Sequence, residues 1–392
     1  MHYAPVTERL AGLGSAKWLL NSAAHARRAT GLEVINLTIG EPDVPPAPML
    51  METACEAMRA GRTGYSNGRG EPELLQALSE RYSAQTGRDI GTDRFLCLPG
   101  TQTALYLALM AICEPGTEVI IGDPMYATYE GLIRASGADM VAVTLRPEAG
   151  FRMQAADIAT KITKRTRAIF LNTPHNPTGA ILEPADLASI GALARQHDLW
   201  LLSDEVYGDL THGGARFTSA LADPALEERV IVAASISKSH AAPGFRSGWL
   251  CGPAEFCTRA LPLSETMLFG SQPFIADMTA AALRAPFDLA QGMAARMARR
   301  AALIHAALDG KAGLRVHRPQ AGMFALIDIR ALSDDSQAFA LALLEATGVA
   351  VMPGASFGAG LEGWLRVALN ATDDTTELAC ARIQAFAEGW TA

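Results

Sequence analysis

Short apolar runs alternate with longer segments of helical periodicity along most of this chain, and that alternation restricts its fold more than any other feature. Seven runs have the composition of buried strands: Phe95–Leu98, Glu118–Ile121, Met140–Val143, Ala168–Leu171, Trp200–Ser203, Val230–Ala234 and Gly248–Cys251. The segments between them that indicate helices are Thr103–Ile112, Tyr129–Ser136, Gln154–Ile162 and Pro184–His197. Strands that alternate with helices form a parallel sheet covered on both faces. The sequence therefore predicts an α/β fold with a mainly parallel, seven-stranded sheet.

The pattern changes after about residue 285. The expected elements are then a long helix at Leu289–Leu308, a strand at Gly322–Ile329, a helix at Gln337–Thr347, strands at Val349–Met352 and Trp364–Leu369, and an amphipathic helix at Thr375–Ala387. Such a mixed order is typical of a smaller α+β domain. We expect residues 46–285 to form the large domain and 286–392 the small one. Residues 1–45 should supply an N-terminal arm and part of the small domain.

Composition and charge argue against several classes of function. The chain has 392 residues and a net charge of −8, so no overall basic field is available for nucleic acid or an anionic membrane. The six cysteines are dispersed, with no pair or His/Cys cluster at metal-ligand spacing. Pro99 and Gly100 interrupt the most apolar stretch, and the first ten residues lack a secretory signal. We expect a cytoplasmic protein without a metal and with neither a nucleic-acid nor a membrane partner.

A lysine flanked by serines and an arginine follows the sixth predicted strand. Ser235, Ser237 and Lys238 come directly after Val230–Ala234, and Arg246 lies eight positions after the lysine. Ligands of α/β proteins bind at the carboxyl ends of the strands. The serines and the arginine can bind a phosphate while the lysine amine forms an imine, as a pyridoxal 5′-phosphate (PLP) enzyme requires. Taken alone, a solvated lysine and a surface arginine are the simpler interpretation.

The loops after the first two predicted strands can contribute to the same site. Thr101 and Gln102 precede the predicted helix Thr103–Ile112, where free N–H groups and the helix dipole favour an anion. The alternative is an ordinary helix cap by Thr101 or Thr103. The turn lacks both the P-loop lysine and the dinucleotide fingerprint, which disfavours NTP and NAD. Tyr126 can stack on a flat heteroaromatic ring, although packing within its loop explains it equally well.

Three further residues complete a set suited to PLP. Asn176 lies in a rigid, proline-rich loop and can donate to a phenolate oxygen. Asp204 ends a buried strand, where a protonated pyridine nitrogen is a suitable partner for its carboxylate, although a helix cap is the alternative. Tyr207 lies one helical turn further on and can reach the 3-oxygen of the ring. We interpret His175 as a structural loop residue and Glu205 as solvated or structural.

Taken in order, these motifs resemble those of the class I PLP-dependent aminotransferases, the aspartate aminotransferase superfamily of fold type I. The resemblance covers essentially the whole chain. It is carried by Leu37–Asp43, Gly64–Tyr65 with Gly70–Leu74, Asn176–Gly179, Asp204 with Tyr207, Ser235–Lys238 with Arg246, and Trp364–Val367. It implies that Gly40 borders the substrate and that Arg366 binds its α-carboxylate. It also implies a homodimer in which Tyr65 crosses to the phosphate of the neighbouring subunit.

The resemblance implies a ping-pong transfer of an amino group from an L-amino acid to a 2-oxo acid such as pyruvate or 2-oxoglutarate. Lys238, Asp204 and Tyr207 would be catalytic, and Asn176 would contact both the cofactor and the substrate. The residues expected to bind the cofactor are Thr101, Gln102, Tyr126, Asn176, Asp204, Tyr207, Ser235, Ser237, Lys238, Arg246 and Tyr65. Two alternatives remain open: a PLP-dependent carbon–sulfur lyase of the same fold, and a non-catalytic PLP-binding regulator.

The identity of the amino donor is less constrained. The segments His197–Trp200, Ser237–His240 and Met267–Ser271 are similar to those of arginine–pyruvate transaminases. The sequence offers no evident second arginine for a dicarboxylate side chain. We therefore expect arginine or another neutral or basic amino acid as donor. The aromatic residues expected to line its pocket are Trp18, Tyr126, Phe269 and Phe274.

The sequence departs from the commoner family pattern at two places. Ala242–Phe245 precedes Arg246 and contains Pro243, which removes a backbone donor, and Thr101 stands where many relatives have glycine or alanine. Both changes could reshape the phosphate cup, but neither removes a group that the chemistry needs.

Overall fold

The computed structural model describes residues 1–13, 16–286 and 288–390. Its strands are β1 (Ile35–Leu37), β2 (Phe95–Leu98), β3 (Glu118–Asp123), β4 (Asp139–Thr144), β5 (Thr166–Asn172), β6 (Trp200–Asp204), β7 (Val230–Ser235), β8 (Gly248–Cys251), β9 (Arg315–His317), β10 (Phe324–Asp328), β11 (Val349–Pro353) and β12 (Trp364–Ala368).

Helices connect and cover these strands. They are α1 (Pro5–Arg9), α2 (Leu19–Ala29), α3 (Pro48–Arg59), α4 (Pro72–Thr86), α5 (Thr101–Ile112), α6 (Tyr129–Ala135), α7 (Ala155–Ala159), α8 (Pro184–Gln196), α9 (Ile236–Ser239), α10 (Ala254–Leu268), α11 (Pro273–Arg284), α12 (Asp288–Leu308), α13 (Ser336–Thr347) and α14 (Asp373–Glu388). None of the helices in the described ranges is long and apolar enough to cross a membrane.

The large sheet has seven strands in the order β2-β8-β7-β6-β5-β3-β4. β8 runs antiparallel to both of its neighbours, and the remaining pairs are parallel. The predicted α/β fold and all seven predicted strands are confirmed. Because the parallel strands point the same way, their carboxyl ends lie along one edge of the sheet.

All strands of this sheet except the edge strand β4 are largely buried on both faces, which explains why they are continuous apolar runs. Successive residues of one strand enter different clusters: Leu201 packs into one core cluster and Leu202 into the other. In β7, Val232 and Ala233 are divided in the same way. Full burial of one leucine side chain contributes about 2 kcal/mol.

A second sheet has five strands in the order β1-β11-β12-β10-β9. β1 pairs in parallel with β11, so the N-terminal part of the chain adds a strand to a sheet formed otherwise by residues after 314. β12 pairs with both β10 and β11, and this central position holds Arg366. The domain boundaries expected at residues 45 and 285 stay predictions.

Candidate active site

One cavity opens at the carboxyl ends of the large sheet, beside the five-stranded sheet. Its walls contain all of the predicted site residues except Tyr65: Gly40, Thr101, Gln102, Tyr126, Asn176, Asp204, Tyr207, Ser235, Ser237, Lys238, Arg246 and Arg366. Tyr65 is 90% exposed and lies away from this cavity, with its ring centroid 4.7 Å from that of Phe269. Within a single chain, Tyr65 therefore takes no part in the site.

Lys238 lies in the short helix α9, directly after β7. The Ser235 hydroxyl caps this helix by accepting a hydrogen bond from the Ser237 N–H at 3.3 Å. The Lys238 amine donates to the Gly40 carbonyl at 2.7 Å. Burial lowers the pKa of Lys238 to about 8, and the positive charges of Arg366 and Arg246 act in the same direction. At pH 7 about a tenth of an amine with this pKa is neutral and hence nucleophilic, a far larger fraction than for an ordinary lysine.

The N-terminus of α5 faces the same cavity. Gly100 precedes this helix with φ of +88°, and no side chain caps it. The Thr101 hydroxyl is buried without a hydrogen-bond partner, and the Thr103 hydroxyl bonds to the Pro99 carbonyl instead of an N–H group. The capping interpretation is therefore wrong for both threonines. An unpaired hydroxyl beside free N–H groups fits an anionic ligand such as a phosphate.

Arg246 lies against this helix start. A Cβ atom at Gly100 would come 2.3 Å from its Nη2 atom, so the guanidinium approaches because residue 100 has no side chain. Its Nη1 donates to the Pro243 carbonyl at 2.8 Å and its Nη2 to the Pro99 carbonyl at 3.2 Å. It forms no ion pair with any carboxylate in the described ranges. Its charge is available to a ligand, and Pro243 supplies an acceptor that orients it.

Asp204 ends β6 and is 4% exposed. The Val206 N–H donates to its Oδ1 at 3.1 Å, and the Tyr129 hydroxyl donates to its Oδ2 at 2.8 Å. Burial raises the pKa of Asp204 to about 6, and these two hydrogen bonds and the charge of Lys238 oppose the rise. A buried carboxylate needs a cationic or donor partner, and a protonated ring nitrogen would be one.

Glu205 lies beside Asp204 in sequence but outside the cavity wall. It is 7% exposed, and its Oε1 accepts from the Ser203 hydroxyl and from the Ala220 N–H, each at 3.0 Å. Burial raises the pKa of Glu205 to about 7. Glu205 was expected to be either solvated or structural, and this buried environment fits the structural interpretation.

The proline-rich loop after β5 holds Asn176 in place. The Asn172 Oδ1 accepts from the Asn176 N–H at 2.8 Å. His175 is 9% exposed and is hydrogen-bonded to the Thr178 hydroxyl at 2.8 Å, and burial lowers its pKa to about 4. His175 is therefore neutral and structural, as predicted. Tyr207 lines the same cavity as Asn176, and burial raises the pKa of its phenol.

Arg366 is 2% exposed and forms no ion pair with any carboxylate that the structure describes. Its Nη1 donates to Asn176 Oδ1 at 3.2 Å, its Nη2 donates to the Thr38 carbonyl, and its Nε is buried without a partner. Its Cζ atom lies 3.9 Å from the ring centroid of Phe324 and 4.3 Å from that of Phe357. Burial lowers the pKa of Arg366 to about 10, so it stays charged at neutral pH. A buried, uncompensated guanidinium fits a ligand carboxylate.

Aromatic and aliphatic side chains form the rest of the wall. Of the four aromatic residues expected there, Trp18 and Tyr126 line the cavity. The expectation was wrong for the other two: Phe269 is 60% exposed beside Tyr65, and Phe274 packs against the hydrophobic core. The lining residues that the sequence analysis did not predict are Ile39, Leu105, Thr128, Tyr129, Leu132, Val206 and Phe324. Of these, Tyr129 with its hydroxyl and Val206 with its N–H donate hydrogen bonds to the predicted residue Asp204.

The chain is similar to known proteins over nearly its whole length. Residues 33–383 match the family model described as aminotransferase class I and II. The arginine–pyruvate transaminase AruH of Pseudomonas aeruginosa is 40% identical over 383 residues, which cover 98% of this chain and 97% of that protein. An aspartate/prephenate aminotransferase of Cereibacter sphaeroides is 32% identical, with 94% and 95% covered. A Thermus thermophilus aspartate aminotransferase double mutant superimposes with a TM-score of 0.91 at 30% identity, with 98% and 100% covered.

Proposed function

Because the chain belongs to the aminotransferase class I and II family, whose members depend on PLP, we propose that it transfers the amino group of arginine, or of another neutral or basic L-amino acid, to a 2-oxo acid such as pyruvate or 2-oxoglutarate. The observation that carries the proposal is the cavity in which Lys238, Asp204 and the unpaired Arg366 meet. We further propose that the enzyme is cytoplasmic and acts as a homodimer.

The residues present fit the cofactor. The phosphate would be held by the free hydroxyl of Thr101, the N–H groups at Thr101 and Gln102, the hydroxyls of Ser235 and Ser237, and Arg246. Tyr126 would stack on the ring, Asn176 and Tyr207 would bind its 3-oxygen, and Asp204 would bind its nitrogen. When bound, PLP supplies an aldehyde that takes up the amino group and a ring that withdraws electrons from the substrate α-carbon.

Lys238 would hold the cofactor and then move the proton. Its Nζ atom would be the group that accepts the proton of the substrate α-carbon and returns a proton. Its pKa of about 8 suits both tasks, because the protonated and neutral amine are each well populated near that pH. Asp204, as a carboxylate, would hold the ring nitrogen in its protonated form, and Asn176 and Tyr207 would stabilise charge on the 3-oxygen.

Arg366 would bind the α-carboxylate of both substrates. Its Nε is free, and two aromatic rings fix the plane of its guanidinium, so a carboxylate can form parallel hydrogen bonds with it. Gly40 borders the same region because its carbonyl meets Lys238. A Cβ atom at Gly40 would come within 2.1 Å of the Phe324 ring, so this close approach requires glycine.

The charges of the wall support a donor that is not a dicarboxylate. Beyond Lys238, Arg246 and Arg366, the described residues that line the cavity include no lysine or arginine. Within one chain, the distal carboxylate of aspartate or glutamate would therefore lack a cationic partner. Trp18, Ile39 and Tyr126 instead offer flat or apolar surfaces to a long side chain. The relative at 40% identity carries the name arginine–pyruvate transaminase, which favours arginine among such donors.

The experiment is a half-reaction screen. The purified PLP enzyme is mixed with single L-amino acids, and bleaching of the bound imine absorption is followed at each concentration. We expect arginine and other neutral or basic amino acids to bleach the band at least tenfold faster than aspartate or glutamate. Adding pyruvate or 2-oxoglutarate should restore the band.

Two controls complete the screen. Lys238→Ala should abolish both the imine band and turnover, whereas Lys161→Ala, at an exposed position, should behave like the wild type. Aspartate or glutamate as by far the best donor would refute the donor proposal. Release of pyruvate from cystathionine without any oxo-acid acceptor would instead indicate a carbon–sulfur lyase.

A further inference from the structure

Tyr129 is a buried tyrosine of the cavity wall whose ring is held on two sides. It is 3% exposed and begins α6, three residues after Tyr126. Its ring centroid lies 4.6 Å from that of Phe170 in β5 and 5.5 Å from that of Tyr126, the latter in an edge-on arrangement. Aromatic contacts of this kind fix the ring plane. The position of the hydroxyl is therefore set by the sheet below it and by the proposed stacking residue beside it.

The Tyr129 hydroxyl donates to Asp204 Oδ2 at 2.8 Å. The other donor to this carboxylate is the Val206 N–H, which bonds Oδ1 at 3.1 Å. Burial and the neighbouring carboxylate raise the pKa of the Tyr129 phenol well above its ordinary value, so it remains a donor over the whole range in which the enzyme can work. A hydrogen bond from a neutral donor to a carboxylate favours the ionised form and fixes the orientation of its remaining lone pairs.

We propose that Tyr129 is a positioning residue that keeps Asp204 ionised and aimed at the cofactor ring. The proposal rests on the proposed function, because it takes the ring nitrogen of PLP to be the partner of Asp204. Tyr129 acts through Asp204 and, by its edge contact, through Tyr126, the two residues expected at the nitrogen and at the face of the ring. Among the described residues, the hydrogen bond and ring contacts of Tyr129 are to Asp204, Tyr126 and Phe170 and not to Arg366. Tyr129 should therefore have no part in binding the substrate carboxylate.

Loss of the Tyr129 hydroxyl should raise the pKa of Asp204. Without the Tyr129 hydroxyl, burial acts on Asp204 with one opposing hydrogen bond fewer, so its pKa rises further above about 6. A hydrogen bond to a charged group contributes enough to change an equilibrium about tenfold. We therefore expect the acid limb of kcat against pH to move about one unit towards higher pH. The affinity for PLP should fall about tenfold, because the carboxylate is less charged and less well oriented.

The test compares Tyr129→Phe with Tyr82→Phe, a matched control that also removes a buried phenol hydroxyl. Tyr82 is 3% exposed and its hydroxyl accepts from the Trp249 indole N–H at 2.8 Å, outside the cavity wall. The dissociation constant of PLP is measured by fluorescence titration of the apoenzyme, together with the pH dependence of kcat and the KM of the amino donor. Tyr129→Phe should weaken PLP binding about tenfold and shift the acid limb upward, with KM unchanged. Tyr82→Phe should change none of these quantities.

A second substitution preserves the packing, in case the phenylalanine variant folds poorly. Incorporation of 3-fluorotyrosine at position 129 keeps the ring and strengthens the donor, so the acid limb should move in the opposite direction, towards lower pH. A double-mutant cycle with Asp204→Asn adds a third test, since removal of the hydroxyl should have little further effect on PLP affinity once the carboxylate is gone.

The failures of the two proposals are distinguishable. An enzyme that transaminates normally, and whose PLP affinity and pH profile do not respond to Tyr129→Phe or to the fluorinated residue, would overturn the role of Tyr129 alone. Equal changes in Tyr82→Phe would also overturn it, because they would reflect a general loss of packing. A wild-type enzyme that no amino acid bleaches would refute the proposed function itself.

Discussion

At the scale of single residues, the most informative arrangement is the charge of Arg366, which is buried between two phenylalanine rings and pairs with no carboxylate among the residues that the structure describes. Removing a charge from water without a partner is strongly unfavourable. The chain compensates only in part, with the Thr38 carbonyl and Asn176 Oδ1 as neutral acceptors. A substrate carboxylate would supply the missing anion. The buried charge of Arg366 therefore lowers the stability of the free protein and favours binding of the substrate.

We predict that Arg366→Lys lowers kcat/KM for every amino donor by about 100-fold, because an ammonium cannot form two parallel hydrogen bonds to a carboxylate. The effect should appear mainly in KM, since Arg366 binds a group that does not react. Steady-state kinetics with several donors measure it, and Arg330→Lys, in an exposed pair with Asp328, serves as the control. A variant with unchanged KM would show that another group binds the carboxylate.

Residues that local motifs singled out line one cavity, although their roles stay predictions, whereas a contact between distant segments was missed. Lys238, Asp204, Asn176 and Arg246 each follow a recognisable strand, and the cavity contains all of them. Tyr129 was missed because its bond to Asp204 spans 75 positions, and nothing in the surrounding residues indicates it. Phe269 was wrongly expected to line the pocket, because the similarity of the segment Met267–Ser271 to relatives does not reveal the direction of the Phe269 side chain.

At the scale of elements, the segment between β1 and α3 is held by hydrogen bonds on two sides. On the cavity side, the Thr38 and Gly40 carbonyls accept from Arg366 and Lys238. On the other side, Asp43 accepts two hydrogen bonds from Arg296, at 2.7 and 2.9 Å, and one from Arg300 at 2.8 Å, both in α12. Burial opposes the charge of Asp43, but these hydrogen bonds outweigh it and hold its pKa below the ordinary value.

We predict that Asp43→Asn lowers the free energy of unfolding at pH 7 by about 3 kcal/mol, because it leaves the partly buried Arg296 without an anion and the buried Arg300 with Asp373 alone. Since the folded-state pKa of Asp43 is lowered, its contribution is present above about pH 4 and is lost as the pH falls through the folded pKa. The difference between the two proteins should therefore shrink in acid. Urea unfolding at several pH values measures it.

The control for this prediction is Asp139→Asn. The Asp139 side chain is 65% exposed in its ion pair with Arg165, and such pairs contribute less than about 1 kcal/mol. The KM of the amino donor should also rise in Asp43→Asn, because the segment between β1 and α3 borders the substrate. Equal stability losses in the two variants would contradict the special role of Asp43.

Element prediction was accurate for the fully apolar strands and for α12, α13 and α14, but it missed the shortest strands and several helices. The seven strands of the large sheet were predicted to within about two residues at either end, because burial on both faces leaves continuous apolar runs. β1 and β9 have three residues each, too few for any period to show. α3, α4 and α11 were missed although each has proline in its first turn, a start signal that the sequence analysis did not use.

At the scale of the whole molecule, the exposed pair Tyr65 and Phe269 has no role within one chain. Their exposures of 90% and 60% are unusual for packed aromatic rings. A homodimer in which Tyr65 reaches the partner's phosphate would give both rings a buried environment. This arrangement stays a proposal that rests on the family resemblance.

We predict complementation between two impaired chains. Tyr65→Phe should weaken PLP binding about tenfold, as expected for one lost hydrogen bond to a charged phosphate. In a mixed dimer of Tyr65→Phe and Lys238→Ala chains, one site has both an intact lysine and an intact tyrosine from the other subunit. Co-expression with two different tags isolates this dimer, and activity at limiting PLP should approach half that of the wild type. No recovery would place Tyr65 outside the partner's site.

The residues of the cavity also have an uneven distribution along the chain. The proposed cofactor contacts, apart from Tyr65, run from Thr101 to Arg246, whereas the substrate side is formed by Trp18, Gly40, Phe324 and Arg366 from the two ends. A nascent polypeptide emerging from the ribosome thus completes the vitamin-binding half first. The amino-acid-binding half has to wait for β12, which is synthesised last among the strands.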